Sequence, residues 1–172
     1  DGGGSDAAVA ITTDEAGNVY VTGHSAGGLY FMTAKYNAAG DRLWVQTFTT
    51  IGEGDAGVDL ALDHEGNVYV TGNFEGTVNF GGSGLASAGA KDIFVAKYSA
   101  TGAHVWSKRF GGSGNDIATG IAVDGSGDVA ISGRFTGSIN FGGSALASAG
   151  GEDAYLAKLS GAAGGRCRPR RW

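Results

Sequence analysis

The chain has 172 residues, of which 42% are apolar and 34 are glycine, with a single proline and a single cysteine. That apolar content excludes a disordered chain. Glycine at this level with no triplet period excludes collagen and points to turns and bulges of a β-rich fold. The net charge of −5 conceals a basic tail: four of the seven arginines lie within residues 166–172, so the remainder carries −5 − 4 = −9. An acidic body without a basic stripe excludes the usual nucleic-acid footprint and an anionic-membrane anchor. No apolar run is long enough for a membrane-spanning helix.

In chain order, the first predicted strand is Val9–Thr13, followed by the loop DEAGN and a second strand Val19–Gly23. A third, Phe31–Tyr36, and a fourth, Leu43–Phe48, are joined by NAAGD. The same order then returns: Val58–Leu62, Val68–Gly72, Ile93–Tyr98 and Val105–Phe110, with loops DHEGN and SATGA. It returns again as Thr119–Val123, Val129–Gly133 and Ala154–Leu159, with loop DGSGD. β-Branched and aromatic residues dominate these runs, and each loop places glycine late, where a tight hairpin wants a positive φ.

Self-similarity settles the organisation. FEGTVNFGGSGLASAGAKD (74–92) matches FTGSINFGGSALASAGGED (135–153) at a shift of 135 − 74 = 61. The first copy lacks most of this segment. In the other two the segment reads as an extra hairpin between strands two and three, VNFGG against LASAG. Gly40 and Gly102, Trp44 and Trp106, and Phe48 and Phe110 correspond between the first two copies and are assigned structural roles.

Four-stranded antiparallel units in tandem fit propeller blades. The expected fold is all-β: about three blades in an incomplete open arc. Blade 1 spans about 6–50, blade 2 about 55–111 and an incomplete blade 3 about 116–160. The repeat region is 1–160, and 161–172 is an irregular basic tail. In the third copy the fourth-strand tryptophan and phenylalanine are replaced by Cys167 and Arg171, so that strand is expected to be missing. The abrupt change resembles out-of-frame translation; a genuine basic tail is the alternative. Fewer than three full blades cannot close a ring, so further blades are expected in cis or by oligomerisation.

The spaced motifs GGSGND, IAVD, GNVYVTG, FVAKY and then W with FG resemble the bacterial beta-propeller repeat family (SBBP-type repeats). They are more distantly similar to NHL-type repeats. The resemblance implies that the IAVD-type strand is innermost and that the chain is part of a secreted or cell-surface protein. It implies no particular chemistry.

Several motifs invite a functional reading. GHSAG (23–27) has the G-x-S-x-G form of a nucleophile elbow, with Ser25 as nucleophile. The elbow needs a strand–turn–helix, however, and GLYFMTAKY reads as a strand. His24, His64 and His104 show no triad order. GGSGNDIAT (111–119) fits a calcium nonapeptide, but its relative GEGDAG lies far away rather than in immediate tandem, which favours a blade-to-blade turn. The DHEGN-type loops offer too few carboxylates for calcium. No catalytic residue, metal ligand or cofactor is assigned.

Candidate ligand contacts are Asp14, Asp63 and Asp124 at the first hairpins, and Phe74, Phe80, Phe135 and Phe141 in the extra hairpins, where binding loops on a rigid propeller reside. The alternatives are an Asx-type bond onto the turn for the aspartates and coverage of the blade edge for the phenylalanines. Trp44 and Trp106 read as inter-blade packing, with sugar stacking as the alternative. Lys35, Lys97 and Lys158 recur in strand three, either snorkelling to the surface or paired with Asp92 and Asp153. The expected function is a non-enzymatic scaffold or binding module for an unknown protein or carbohydrate ligand. A propeller fragment of a polysaccharide-acting enzyme and a lectin are the alternatives.

Overall fold

The computed structural model describes residues 6–25, 30–49, 56–161 and 170–171. The loop that completes GHSAG, most of GEGDAG and most of the tail lie outside these residues.

Three four-stranded antiparallel sheets follow one another along the chain. Blade 1 comprises β1 (Ala7–Thr13), β2 (Val19–Ser25), β3 (Tyr30–Tyr36) and β4 (Arg42–Thr49). Blade 2 comprises β5 (Ala56–Leu62), β6 (Val68–Phe74), β9 (Asp92–Tyr98) and β10 (His104–Phe110), with the small hairpin β7 (Thr77–Val78) and β8 (Leu85–Ala86) inserted after its second strand. Blade 3 comprises β11 (Asp116–Val123), β12 (Val129–Ile139), β13 (Leu146–Leu159) and β14 (Arg170–Arg171). Within each sheet the strands lie in chain order, and β5 touches β1 on one side and β11 on the other. The IAVD-type strands therefore converge and the blades fan out into an open propeller arc. Among the described residues no helix is long and apolar enough to cross a membrane.

The expected absence of a fourth strand in blade 3 is corrected. Arg170–Arg171 pairs with Tyr155 and Leu156 in the fourth-strand place. Ladder bonds use backbone groups, so a segment with none of the usual apolar residues can still occupy the edge of β13.

The cross-strand rows explain how the sheets stack. Residues directly opposed across antiparallel strands share a face. In blade 2, Leu60, Val70 and Ala96 form one row, and in blade 3 Ile121, Ile131 and Ala157 form its counterpart. These rows lie on the face turned to the preceding blade, here the leading face. The opposite, trailing face carries the row Thr12, Tyr20, Lys35, Trp44 in blade 1 and Ala61, Tyr69, Lys97, Trp106 in blade 2. Trailing-face aromatics meet leading-face aliphatics in two cores. One joins Tyr20, Phe31 and Phe48 to Leu60, Val70 and Phe94. The other joins Tyr69, Ile93 and Phe110 to Ile121, Ile131 and Tyr155.

The extra hairpins belong to these cores. Phe80 stacks on Phe94 at 4.2 Å between centroids and meets Phe31 and Phe48 edge-on. Phe141 lies against Phe110 and Tyr155. In blade 3 the hairpin is a continuation of β12 and β13, which pair as far as Ile139 with Leu146. The Tyr98 hydroxyl donates to the Phe80 carbonyl at 3.2 Å and ties the first hairpin down.

The two junctions are stitched differently. Between blades 1 and 2 the bonds are at the outer strands: Trp44 Nε1 donates to the Ala100 carbonyl at 3.1 Å and Gln46 Nε2 to the Gly102 carbonyl at 2.8 Å. Gly40 and Gly102 close the β3–β4 and β9–β10 turns at φ 90° and 85°. A Cβ on Gly102 would come within 2.8 Å of the Trp44 indole, so both conformation and space require glycine there. Between blades 2 and 3 the bonds are at the inner strands: the Ile121 amide donates to Asp59 Oδ2 at 2.9 Å and the Ala118 amide to Asn73 Oδ1 at 2.7 Å. Trp106 is half-buried, edge-on to Tyr69 at 6.1 Å.

Phe94 is buried, contacts Phe31 across the first junction and packs on Phe74 and Phe80 within its own blade. Phe94→Ala is expected to lower stability by about 3–5 kcal/mol, read from the urea midpoint.

Candidate functional site

The recurring polar residues gather at the rim formed by the first hairpin of each blade. Each hairpin is built alike. The Gly17, Gly66 and Gly127 amides donate to the Asp14, Asp63 and Asp124 carbonyls at 3.0, 3.0 and 2.8 Å, and these glycines have φ near 77°. Each aspartate also uses its side chain on its own turn. Asp63 Oδ1 accepts from the Glu65 amide at 3.1 Å and the Asn67 amide at 2.9 Å, and Asp14 and Asp124 repeat this on Ala16 and Asn18 and on Ser126 and Asp128. This is an Asx-type cap that spans the turn.

The second carboxylate oxygen faces the strands. Asp63 Oδ2 accepts from Asn67 Nδ2 at 2.8 Å and the Tyr69 hydroxyl at 3.2 Å, and Lys97 Nζ stands 3.4 Å away. Asp14 does the same with Asn18, Tyr20 and, at 3.9 Å, Lys35. Each lysine also sits over its tyrosine ring, Lys35 at 4.8 Å from Tyr20 and Lys97 at 4.7 Å from Tyr69. Blade 3 modifies the pattern. Ala130 replaces the tyrosine and Asp128 the asparagine, and Lys158 pairs with Asp124 at 2.6 Å and Asp128 at 3.4 Å.

The lysine partners therefore correct the expectation of Asp92 and Asp153. Register brings Lys35 opposite Tyr20 and Lys97 opposite Tyr69, one strand-end from the hairpin aspartate. Asp92 and Asp153 lie at the opposite rim, where Asp92 pairs with Arg109 and caps the Ala88 amide and Asp153 accepts from the Ala149 amide. The phenylalanines are corrected as ligand contacts. Phe74, Phe80, Phe135 and Phe141 are at most 1% exposed, because each extra hairpin folds back over its junction and turns its rings inward.

The other singled-out motifs are placed as follows. His24 lies in β2, His64 is exposed in its hairpin, and His104 opens β10 with Nε2 3.2 Å from Ser107 Oγ. They do not converge. The segment after GHSAG enters strand β3. In GGSGND, the loop leads from β10 to β11, and Asp116 Oδ2 accepts from the Gly112 amide at 2.7 Å within the same loop.

Successive hairpins leave grooves between them. The first, of about 630 Å³, has Asp14, Glu15, Tyr20 and Lys35 on one wall and Asp63, His64 and Glu65 on the other. Its smaller counterpart, of about 160 Å³, runs from Asp63, Glu65, Tyr69 and Lys97 to Ser126 and Gly127. This repetition was not legible in the sequence, because each groove draws its two walls from different repeats.

The charges in the grooves are held by their neighbours. Burial pushes the Tyr20 hydroxyl up to about 12, with help from its bond to Asp14. For Asp63, burial raises the pKa, but the Asn67 bonds and Lys97 together outweigh it and the carboxyl titrates below its ordinary value. Asp14 is lowered mainly by Asn18, and Asp124 mainly by Lys158. Asp116 is the opposite case, raised by burial and by the nearby Asp92.

A depressed carboxyl contributes stability above its unfolded value and loses it as pH falls through the folded value. The hairpin aspartates should therefore weaken the fold on acidification below the ordinary carboxylate range. Asp116 should act in the reverse sense, subtracting stability as pH rises past its unfolded value. Asp63→Ala removes several bonds to a buried charge and is expected to cost on the order of 1.5–3 kcal/mol. Asp63→Asn should flatten the acid limb of a plot of unfolding midpoint against pH.

The beta-propeller repeat family model (SBBP) matches residues 1–31 and 105–134. No curated protein matches the chain. The first match takes in β1, β2 and the start of β3, and the second takes in β10, β11 and the first part of β12, so both enclose a first strand, its capped hairpin and a second strand. Residues 1–31 and 105–134 thus match SBBP-type beta-propeller repeats, and the three four-stranded sheets fanned in an open arc have the architecture of propeller blades.

Proposed function

We propose that this chain is a non-enzymatic propeller module, a rigid part of a larger secreted or cell-surface protein, whose hairpin rim binds a protein or carbohydrate ligand. The observation that carries this reading is the groove between the hairpins of blades 1 and 2. Its floor is fixed, since Asp14 holds Tyr20 and Lys35 while Asp63 is committed to its own turn and to Tyr69. Its lip is exposed: Glu15, His64 and Glu65 stand in solvent on loops anchored to paired strands. A preorganised floor with adaptable polar groups above it suits recognition, because little ordering entropy is lost on contact.

The same commitments argue against catalysis at this rim. A general base or nucleophile needs a group within reach of substrate and unspent on structure. The aspartates here cap turns and hold lysines. The family resemblance noted above is what supports a location outside the cell.

The test is a glycan array and a protein-binding screen on the intact chain, run beside a panel of ester, glycoside and peptide substrates. Binding is expected without turnover, and Glu15→Ala with Glu65→Ala should weaken it about tenfold or more. Turnover abolished by Asp63→Asn would overturn the reading.

A further inference from the structure

Each first strand carries a bulge, between Ala8 and Ala10, Gly57 and Asp59, and Ala118 and Gly120. The residue after the bulge differs: Ala10 in blade 1, Asp59 in blade 2 and Gly120 in blade 3. Next along the strand come Ile11, Leu60 and Ile121. In blade 2 the Leu60 amide is satisfied by its own blade, donating to Asp59 Oδ1 at 2.8 Å. Blade 3 has no carboxylate of its own at this place, and its Ile121 amide takes Asp59 Oδ2 from the preceding blade at 2.9 Å. One aspartate thus serves two adjacent blades. Blade 1, with Ala10, stands in the same position as blade 3.

The leading face of blade 1 also repeats the faces that are covered in blades 2 and 3. Its row Ile11, Val21, Ala34 matches Leu60, Val70, Ala96 and Ile121, Ile131, Ala157. Leu60 is 6% exposed and Ile121 9%, whereas Ile11 is 70% exposed. The trailing face of blade 3 does not complement it. There, Ala130 stands where the other blades have tyrosine, Gly120 and Arg134 stand where blade 2 has Asp59 and Asn73, and Lys158 and Leu156 complete the face. A second copy stacked head to tail would offer neither the aromatic ring nor the carboxylate.

We infer that the leading face of blade 1 receives another blade of the same repeat, one carrying an acidic residue at the place of Asp59, whose carboxylate accepts the Ile11 amide. A side-chain amide at the place of Asn73 would in turn accept the Ala8 amide, the counterpart of Ala118. The inference rests on the reading of this chain as part of a larger propeller and adds the chemistry of the blade that precedes it. It does not depend on what the hairpin rim binds.

The experiment extends the intact chain at its amino end with a copy of residues 56–110, so that residues 1–5 become the connector. Hydrogen exchange at the Ile11 and Ala8 amides is compared with that in the unextended chain. Exchange is expected to slow at least ~10-fold, and the same extension carrying Asp59→Ala in the added copy should lose that protection at Ile11 while keeping it at Ala8. Equal protection at Ile11 with and without the added carboxylate overturns the shared-aspartate claim but leaves stacking intact. Unchanged exchange at both amides overturns the stacking itself.

Discussion

Burial of one sheet's face against the next is the interaction on which this structure depends. A single four-stranded sheet of this size exposes both faces and cannot stand alone in water. Here the aromatic trailing face of each blade fits the aliphatic leading face of its successor, and the two cores lie between sheets rather than within them. Everything polar is arranged around that constraint. Hairpin caps hold the strands at one rim, and the extra hairpins, with Asp92 and Asp153 at their bases, close the other.

The unequal stitching of the two junctions follows from the same constraint. The first junction places its side-chain bonds at the outer strands through Trp44 and Gln46, and the second at the inner strands through Asp59 and Asn73. Non-directional burial tolerates either solution, because the stacking energy is set by area and shape and the hydrogen bonds only fix the register. The rim grooves are a by-product of the fanning. Hairpins that diverge from converging inner strands leave a gap between their turns.

The strands and hairpin turns were legible because each depends on residues close in sequence: glycine at positive φ, aspartate at the turn, alternating apolar residues. The hairpin aspartates illustrate this, since their cap reaches only two to four residues. What was not legible depends on pairing across blades. Lys97 sits only five residues from Asp92, yet its partner is Asp63, which the β6–β9 register brings to it. Phe80 reads as a loop-tip aromatic and becomes core because its hairpin folds over a junction made by two repeats. The edge strand Arg170–Arg171 carried no side-chain signal at all, since backbone pairing needs none.

The aspartate shared between blades 2 and 3 bears on how such an array lengthens. Copying one alanine- or glycine-type blade beside another would leave an inner-strand amide unanswered, and that cost would recur at every such seam. Copying an acid-bearing blade together with its dependent neighbour keeps every seam satisfied. A blade without its own carboxylate is therefore cheap to add only directly after an acid-bearing one, whereas an acid-bearing blade can follow either kind.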